Sequence, residues 1–334
     1  MRSLTRRQSQ RLWLPLLLMS LAVAFAWSLE AGPLRLSLRQ IFGVLLESSG
    51  DETVRAVVMH VRLPRALLAA LVGASLASAG GAFQAVLRNP LADPYLLGVS
   101  GGAGLGAVAA MACGAQAPLA VPAAACCGAL AALAAVYGVG RGRNSSPHTL
   151  ILAGVMVGSL AAALLLLLLW GVPAASLRGA VAWLAGDLAG ADPDLFVPLA
   201  LWSFVAFLVL WRQAPALDLF TQGEDAAADL GLDVGQARRM IFAAAGALTA
   251  GAVALGGLVG FVGLVVPHAA RLLGGPAHRR LLPASALGGA AFLVAADALA
   301  RALFAPAELP VGVVTALLGA PAFLWLLRRG GEDL

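Results

Sequence analysis

The sequence predicts an all-α polytopic membrane protein with about ten transmembrane helices, and three observations support this fold class. The 334 residues are 60% hydrophobic and 12% charged, with a mean hydropathy of +0.89, whereas a soluble domain carries about 25% charged residues. Apolar runs of about 20 residues, the length that crosses a bilayer, recur along the sequence. The 39 glycines favour close packing of helices in lipid. We therefore expect residues 1–334 to form a single transmembrane domain.

The apolar runs give ten predicted crossings, some of them short or interrupted. They lie at roughly 12–29, 65–87, 95–112, 117–139, 149–170, 195–211, 239–257, 259–273, 281–303 and 311–327. The first run follows the basic segment MRSLTRRQSQR but is long enough to span, and no small-residue cleavage site follows it. We therefore expect a retained helix rather than a signal peptide.

The distribution of arginine predicts the orientation. With the N-terminus inside and the crossings alternating, fifteen of the 22 arginines fall on the inside and seven on the outside. Basic residues are enriched in cytoplasmic segments, so both termini are predicted to be cytoplasmic. The longest inside segment is then roughly 212–238.

The residue types exclude several functions. The sequence contains no lysine, and a P-loop nucleotide site needs one, so any ATP that drives this protein must bind another chain. Cys113, Cys126 and Cys127 lie in apolar runs without CxxC spacing, which predicts buried, inert thiols. No metal-ligand cluster and no nucleophile beside a base is visible, so neither a metal site nor an enzyme is expected.

The most informative stretch spans residues 62–106. It opens with two arginines around Leu63-Pro64, and Gln84 lies near the end of the small apolar run that follows. The segment Arg88-Asn89-Pro90-Leu91-Ala92-Asp93-Pro94 then interrupts the helix, because proline cannot continue a helix and restricts the residue before it. A glycine-dense restart follows. We expect one crossing, a hard turn at the surface and a second crossing that packs closely.

These residues resemble the permease family of ABC importers that take up ferric siderophores, haem and cobalamin. The shared pattern comprises Arg62-Leu63-Pro64-Arg65, Gly73-Ala74, Gly80, Gln84, Asn89-Pro90-Leu91-Ala92, Pro94 and Leu97-Gly98, and the likeness continues to about residue 327. The resemblance implies a homodimeric permease in the bacterial inner membrane. It also implies two separate ATP-binding cassette subunits that hold ATP and Mg, and a periplasmic substrate-binding protein. No cofactor in this chain and no nucleic acid partner are expected.

The inside segment contains a predicted short helix. Glu224 and Asp225 open a run of alanines, which suits the positive N-terminus of a helix, and Gly231 is placed to end it. The resemblance implies that this helix couples the permease to the ATPase. Its coupling residues would be Gly223, Glu224, Ala227, Leu230 and Gly231. An ordinary solvated connector is the alternative.

Three arginines are candidates for docking the binding protein. Asp297 and Arg301 are four residues apart and share a helix face, which predicts a mutual pair near the outer end. The resemblance implies that Arg62, Arg65 and Arg301 face the periplasm and bind glutamates on the two lobes of the binding protein. The guanidinium group suits this role because it holds carboxylates bidentately. Anchoring of the helices at lipid headgroups is the alternative.

Two further groups are expected on the cytoplasmic side. The resemblance points to Asn89, Leu91, Ser145 and Ser146 as a cytoplasmic gate, with two ordinary turns as the alternative. It also places Pro267, His268 and Arg271 beside the coupling loop, in a structural or interface role. A proton-relay role for the histidine would require a nearby acid, and the sequence places none beside it.

Two questions stay open from the sequence. A transporter driven by an ion gradient would need buried acids near broken helices, and Asp297 is the one acid inside a predicted span. The C-terminal segment that begins at residues 307–310 resembles cobalamin permeases but is general to the family. Cobalamin, ferric siderophore and haem therefore all remain candidate substrates.

Overall fold

A computed structural model describes residues 2–34, 36–46, 51–115, 117–140, 146–189, 193–305 and 307–330. The described residues fold into α-helices joined by turns and short helical segments. The helices are α1 (Arg2–Glu30), α2 (Leu38–Leu46), α3 (Glu52–Ala56), α4 (Leu63–Val86), α5 (Val99–Ala112), α6 (Ala120–Val139), α7 (Pro147–Gly171), α8 (Ala174–Leu184), α9 (Phe196–Arg212), α10 (Ala214–Phe220), α11 (Glu224–Asp229), α12 (Val234–Gly256), α13 (Val262–Gly274), α14 (His278–Leu303) and α15 (Val311–Gly330).

Every predicted crossing has its helix. In the described part of the chain, six helices are long and apolar enough to span a membrane, and the bent pair α9 and α10 makes a seventh span. Three shorter apolar helices, α5, α13 and the described apolar part of α15, bring the total to ten. The protein is an all-α polytopic membrane protein, as predicted, while the cytoplasmic placement of both termini stays a prediction.

Helices α3 and α4 form one continuous path. Between them, Val57–Arg62 is a π-helix, and Pro64 lies in the first turn of α4. Proline lacks the backbone N–H and its ring collides with the carbonyl four residues earlier in an α-helix. The wider π-helical turn lets the chain pass Pro64 without a break, so Arg62 and Arg65 project from one helical path.

Helices α4, α12 and α14 form the centre of the bundle. About three quarters of the spanning residues of α4 and α12 are buried (78% in each), against 22% for α7. The central helices touch backbone to backbone, because a methyl group at Gly73 of α4 would overlap the carbonyl oxygen of Gly289 in α14, and the reverse also holds. Small residues permit such contacts in membranes.

The prediction of a surface turn after α4 holds only for its first half, where Arg88 and Leu91 are exposed. Arg88 adopts a left-handed conformation with φ 47°, and the chain then folds back so that Ala92, Pro94 and Leu97 are buried. The hydroxyl of Tyr95 accepts the Val259 N–H at 2.9 Å. The second half of the turn, after Leu91, therefore packs inside the bundle beside the residues that precede α13.

The prediction of three buried cysteines is also wrong. Cys113 and Cys127 are exposed and Cys126 is partly buried, and all three thiols are free. Cys126 and Cys127 lie on α6, only 28% of whose spanning residues are buried. An apolar run in a membrane protein can face lipid as readily as the protein core, which explains the error.

Candidate functional site

The candidate functional residues lie at the two ends of α14. The arginine cluster consists of Arg62, Arg65, Asp297, Arg301 and Glu308. At its centre is the carboxylate of Asp297, which has no exposed surface. Its Oδ1 accepts from Arg65 Nε at 2.9 Å and its Oδ2 accepts from Arg301 Nε at 3.0 Å. The predicted pair between Asp297 and Arg301 is confirmed.

Arg65 also binds a second carboxylate. Its Nη1 donates to Glu308 Oε2 at 2.6 Å, and the Glu308 side chain keeps 37% of its surface exposed. Glu308 lies just before α15, so Arg65 connects α4 to the entrance of that helix. The sequence analysis missed this contact, which joins residues 243 positions apart.

Arg62 and Arg301 cap the end of α1. The last carbonyl groups of a helix have no partner within it. Arg301 donates to the carbonyl oxygen of Ala31 at 2.7 Å and to that of Ser28 at 2.9 Å. Arg62 donates to the carbonyl oxygens of Leu29 at 2.6 Å and of Leu34 at 2.5 Å. The fork of a guanidinium group suits such multiple contacts.

The three predicted docking arginines are therefore gathered in one cluster, and each is less than a tenth exposed. Their guanidinium groups bind carboxylates and carbonyl oxygens of the same chain. Arg65 differs from the other two because one of its partners, Glu308, is partly exposed. The docking role of Arg62, Arg65 and Arg301 stays a prediction.

The loop at the opposite end contains the predicted short helix, α11. Gly223, at its N-terminus, has φ 113°, and Gly231, beyond its C-terminus, has φ 86°, conformations that favour glycine. The carboxylate of Glu224 forms an ion pair with Arg238 of α12, and Ala227 is buried against the bundle. Leu230 is 69% exposed. The arrangement holds a short helix firmly on the bundle and presents an apolar side chain outward.

The predicted gate residues form local turns. The side-chain oxygen of Asn89 accepts the N–H of Leu91 at 2.9 Å, and Leu91 is 42% exposed. Ser146 caps α7 by accepting the Thr149 N–H at 3.3 Å. Ser145 lies outside the described residues. The guanidinium of Arg88 lies beside Gly223, so the Asn89 turn is at the same end as α11.

Gln84 bonds both Arg271 and the backbone carbonyl that Pro267 leaves without a helical donor. Pro267 lies inside α13 and cannot donate to the carbonyl of Gly263, four residues earlier. The side-chain amide of Gln84 donates to that carbonyl at 3.4 Å and to the carbonyl of Leu264 at 3.2 Å. Its oxygen accepts from Arg271 at 3.0 Å. Gln84 therefore ties α4 to α13 at the place where proline interrupts the hydrogen bonding.

The sequence singled out Pro267, His268 and Arg271 as one group, and the structure places them all on α13. Pro267 is buried and His268 is partly exposed. The sequence did not reveal the bridging role of Gln84. The missed signal was an amide side chain in an otherwise small and apolar run, since polar groups inside a membrane need partners.

No bound group is needed to explain the polar residues in these two regions. Within the described part of the chain, no group of three or more His, Cys, Asp or Glu residues is placed to hold a metal ion. The arginine cluster instead provides paired charges and a set of satisfied helix ends. The α11 loop provides a rigid surface element, which is a mechanical rather than a chemical device.

The chain is similar to known transport proteins over almost its whole length. Residues 20–329 match the model of the FecCD transport family. The chain is 45% identical to the cobalamin import system permease protein BtuC of Halobacterium salinarum over 287 residues, 85% of this chain and 76% of the relative. It is 38% identical to the hemin transport system permease protein HmuU of Yersinia pestis, over 98% of both chains.

A solved structure has the same fold. It is described as an inward-facing conformation of a metal-chelate type ABC transporter, and it superposes with a TM-score of 0.83 at 32% sequence identity. The match covers 94% of this chain and 97% of the other. The two proteins therefore share one fold over the matched part of each chain.

Proposed function

This chain belongs to the FecCD transport family of ABC-importer permeases, and we propose that it imports a metal chelate across the bacterial inner membrane as a homodimer with separate partner proteins. The observation that carries the proposal is the whole-length match to permeases in both sequence and fold. The substrate path would lie between two copies of the chain. The chain itself performs no covalent chemistry in this scheme.

The energy would come from two ATP-binding cassette subunits that hold ATP and Mg. The sequence without lysine cannot carry a P-loop of its own, which supports a separate ATPase. ATP binding and hydrolysis in that partner would alternate the path between outward and inward access. A periplasmic binding protein would deliver the chelate.

We assign the contact with the ATPase to α11 and its flanking glycines. Gly223, Glu224, Ala227, Leu230 and Gly231 make up this segment. The ion pair between Glu224 and Arg238 and the burial of Ala227 keep the helix from moving independently of the bundle. A rigid surface helix transmits displacement between two chains, whereas a flexible loop absorbs it.

The arginine cluster is assigned to docking of the binding protein. Arg65 is the residue best placed to reach a partner carboxylate, since its present partner Glu308 is partly exposed. Arg62 and Arg301 would contribute positive potential and hold the end of α1 in place. The cluster contains three arginines and two acids, so it keeps one net positive charge that attracts acidic groups.

The gate is proposed at the end where α11 lies. Asn89 and Leu91, with Ser146 at the start of α7 and Ser145 before it in the sequence, would narrow the path there. The exposed side chain of Leu91 supports the assignment, because a gate residue must reach beyond its own chain to meet its counterpart in the second copy.

Cobalamin is the first substrate to test. The Halobacterium relative named for cobalamin import is 45% identical, and the Yersinia relative named for hemin transport is 38% identical. Haem and ferric siderophores are the competing chelates. An ion-gradient mechanism is disfavoured because Asp297, its one intramembrane candidate, binds two arginines and has no exposed surface.

The test is reconstitution in proteoliposomes with the neighbouring ATPase and the cognate binding protein, loaded in turn with cobalamin, haem or a ferric siderophore. We expect uptake of one chelate that requires both ATP and the binding protein. Uptake driven by an ion gradient without the ATPase would contradict the proposal.

Charge reversal in α11 tests the coupling assignment in the same vesicles. Glu224→Arg places a second positive charge beside Arg238, which should displace α11 and abolish the ATP hydrolysis that the loaded binding protein stimulates. Glu52→Arg is the control, because Glu52 is exposed and lies on α3, away from α11. Normal stimulated hydrolysis in Glu224→Arg would remove α11 from the coupling route.

A further inference from the structure

The segment that contains α10 and α11, residues 214–231, is called here the α10–α11 loop. Besides the Glu224–Arg238 pair, a second contact connects this loop to the membrane helices. One oxygen of Asp218, on α10, accepts two hydrogen bonds from His278, the first residue of α14. The backbone N–H donates at 2.9 Å and the ring Nδ1 lies at 2.6 Å. The carboxylate therefore sits at the positive N-terminus of α14, where negative charge is stabilising. His278 is 2% exposed.

The contact also fixes the protonation of the histidine ring. An ionised carboxylate can only accept, so the proton must be on Nδ1. The other ring nitrogen, Nε2, is buried and has no partner in the described part of the chain. An unpaired lone pair there costs less than an unpaired N–H of a charged ring, so the neutral Nδ1–H form fits the geometry.

Helix α9, which precedes α10, contacts the same turn of α14. The indole N–H of Trp211, at the end of α9, donates to the carbonyl oxygen of Arg279 at 3.1 Å. The guanidinium of Arg279 lies 5.5 Å from the centroid of the Trp211 ring, within cation–π range. Helices α9 and α10 meet at 55°, and both arms of this bend hold the first turn of α14.

Helix α14 connects this junction to the arginine cluster. It has 26 residues, which at 1.5 Å per residue gives about 39 Å. Its middle is fixed to α4 where Gly289 meets Gly73 backbone to backbone, and its far end carries Asp297 and Arg301. Pro283 lies inside α14 and leaves the Arg279 carbonyl without its helical donor, and the Trp211 N–H takes that place. The first turn is thus held by α9 and α10 together, and a displacement of these helices passes into α14, because close-packed helices shift as units.

We infer that Asp218 and His278 are positioning residues that pass movement of the α10–α11 loop into α14, and through it to the arginine cluster. The inference rests on the proposed function, since it assumes that an ATPase moves this loop. It adds a route separate from the Glu224–Arg238 pair, which connects the loop to α12 instead. Neither residue touches the substrate in this assignment.

The test compares graded variants in the reconstituted transporter. Asp218→Ala removes both hydrogen bonds, whereas Asp218→Asn keeps an oxygen that can accept the backbone N–H of His278. His278→Asn keeps that N–H and removes the ring. Glu52→Gln, an exposed acid outside the loop, is the control. Chelate imported per ATP hydrolysed, retention of the ATPase and the melting temperature are measured for each protein.

We expect Asp218→Ala to lower the chelate imported per ATP by about tenfold, within the usual range of coupling between distant sites. Asp218→Asn and His278→Asn should fall between this variant and the wild type. The ATPase should remain bound to all of them, because the residues proposed to contact it are unchanged. Glu52→Gln should match the wild type.

Three results would overturn the inference. An unchanged ratio of import to hydrolysis in Asp218→Ala would show that the junction transmits nothing. A parallel fall in import, hydrolysis and melting temperature at constant ratio would show that the junction only stabilises the fold. A wild-type protein that neither binds the ATPase nor imports any chelate would refute the proposed function and this inference together, which distinguishes it from the first two results.

Discussion

The two ends of α14 are held by acids in very different ways. At one end Asp297 is fully buried and uses both oxygens on two arginines. At the other end Asp218 is 44% exposed on its side chain and uses one oxygen on a single histidine. The Asp297 carboxylate thus has a partner on each oxygen and is shielded from water. The Asp218 carboxylate is partly accessible to water and contacts a single residue.

The difference shows which end can change. Breaking a buried ion pair leaves an unpaired charge in a medium of low dielectric, which costs about 3–5 kcal/mol. Asp218 keeps contact with water and its partner ring is neutral, so loss of that contact leaves no unpaired buried charge and costs less. A transporter needs both properties, a fixed anchor at one end of a helix and, at the other end, a hydrogen-bonded junction that moves with the loop.

The largest expected effect comes from breaking the anchor. Asp297→Asn leaves Arg65 and Arg301 without their shared negative charge, and we expect the free energy of unfolding to fall by about 3–5 kcal/mol. Chemical denaturation in detergent measures it. Glu308→Gln is the control, since its exposed carboxylate should contribute under about 1 kcal/mol. Equal losses in the two variants would show that burial of the network does not matter.

The middle of α14 gives the next largest effect. A methyl group at Gly289 would overlap the backbone of α4, and backbone cannot move aside as a side chain can. Gly289→Ala should therefore cost about 1–3 kcal/mol. Gly138, near the end of α6, faces open space, so Gly138→Ala should stabilise by about 0.5–1 kcal/mol. The same sign in both variants would contradict the close contact.

The docking proposal predicts a smaller effect at the arginine cluster. If a partner carboxylate must take the place of Glu308 on Arg65, Glu308→Gln should tighten binding of the loaded binding protein about two- to fivefold, the range of an exposed pair. The gain should shrink at high salt, because exposed charges are screened. Surface plasmon resonance measures it, with Asp229→Asn at the opposite end as the control. Weaker binding would mean that Glu308 itself contacts the partner.

The last comparison concerns a partly buried acid that has no arginine partner among the described residues. Burial raises the pKa of Asp93 from 3.8 to about 6, although its carboxylate accepts the Tyr95 N–H at 2.8 Å. Since the folded pKa lies above the unfolded one, this group's contribution to stability is largest below pH 3.8 and is lost as the pH rises to about 6. In Asp93→Asn the side chain can still accept the Tyr95 N–H, as a helix N-cap does, but it can no longer ionise.

We therefore expect Asp93→Asn to raise the melting temperature at pH 7.5 but not at pH 4. Melting curves of the two proteins at both pH values check this. An equal rise at both values would point to better capping rather than relief of a buried charge. The contrast with Asp297→Asn is direct, because the same substitution should destabilise where two arginines pair the acid.

Much of this molecule follows from its sequence. Each of the ten apolar runs became an apolar helix in the described part of the chain, and six of these helices, or seven with the bent pair, are long enough to span a membrane. The short helix after Gly223 followed from its acids and glycines, and the pair of Asp297 and Arg301 followed from their spacing of four. Each of these signals is local, and helix geometry alone converts it into structure.

The features that escaped prediction depend on distant parts of the chain. His278 binds Asp218 across 60 positions and Arg65 binds Glu308 across 243, and no local rule pairs them. The burial of Ala92 and Leu97, in the second half of the turn after α4, accompanies the Tyr95 contact with Val259. The exposure of Cys127 depends on which face of α6 meets lipid, and an apolar run alone does not reveal that face.

The capping of α1 by Arg301 has a consequence for the synthesis and membrane insertion of the protein. The Ala31 carbonyl and Arg301 are 270 residues apart. At about 5–20 residues synthesised per second, roughly 15–50 s pass between the synthesis of the first helix and that of the arginine that caps it. Until α14 has entered the membrane, these carbonyl groups of α1 lack that partner. The first crossing to be made is thus among the last to be finished.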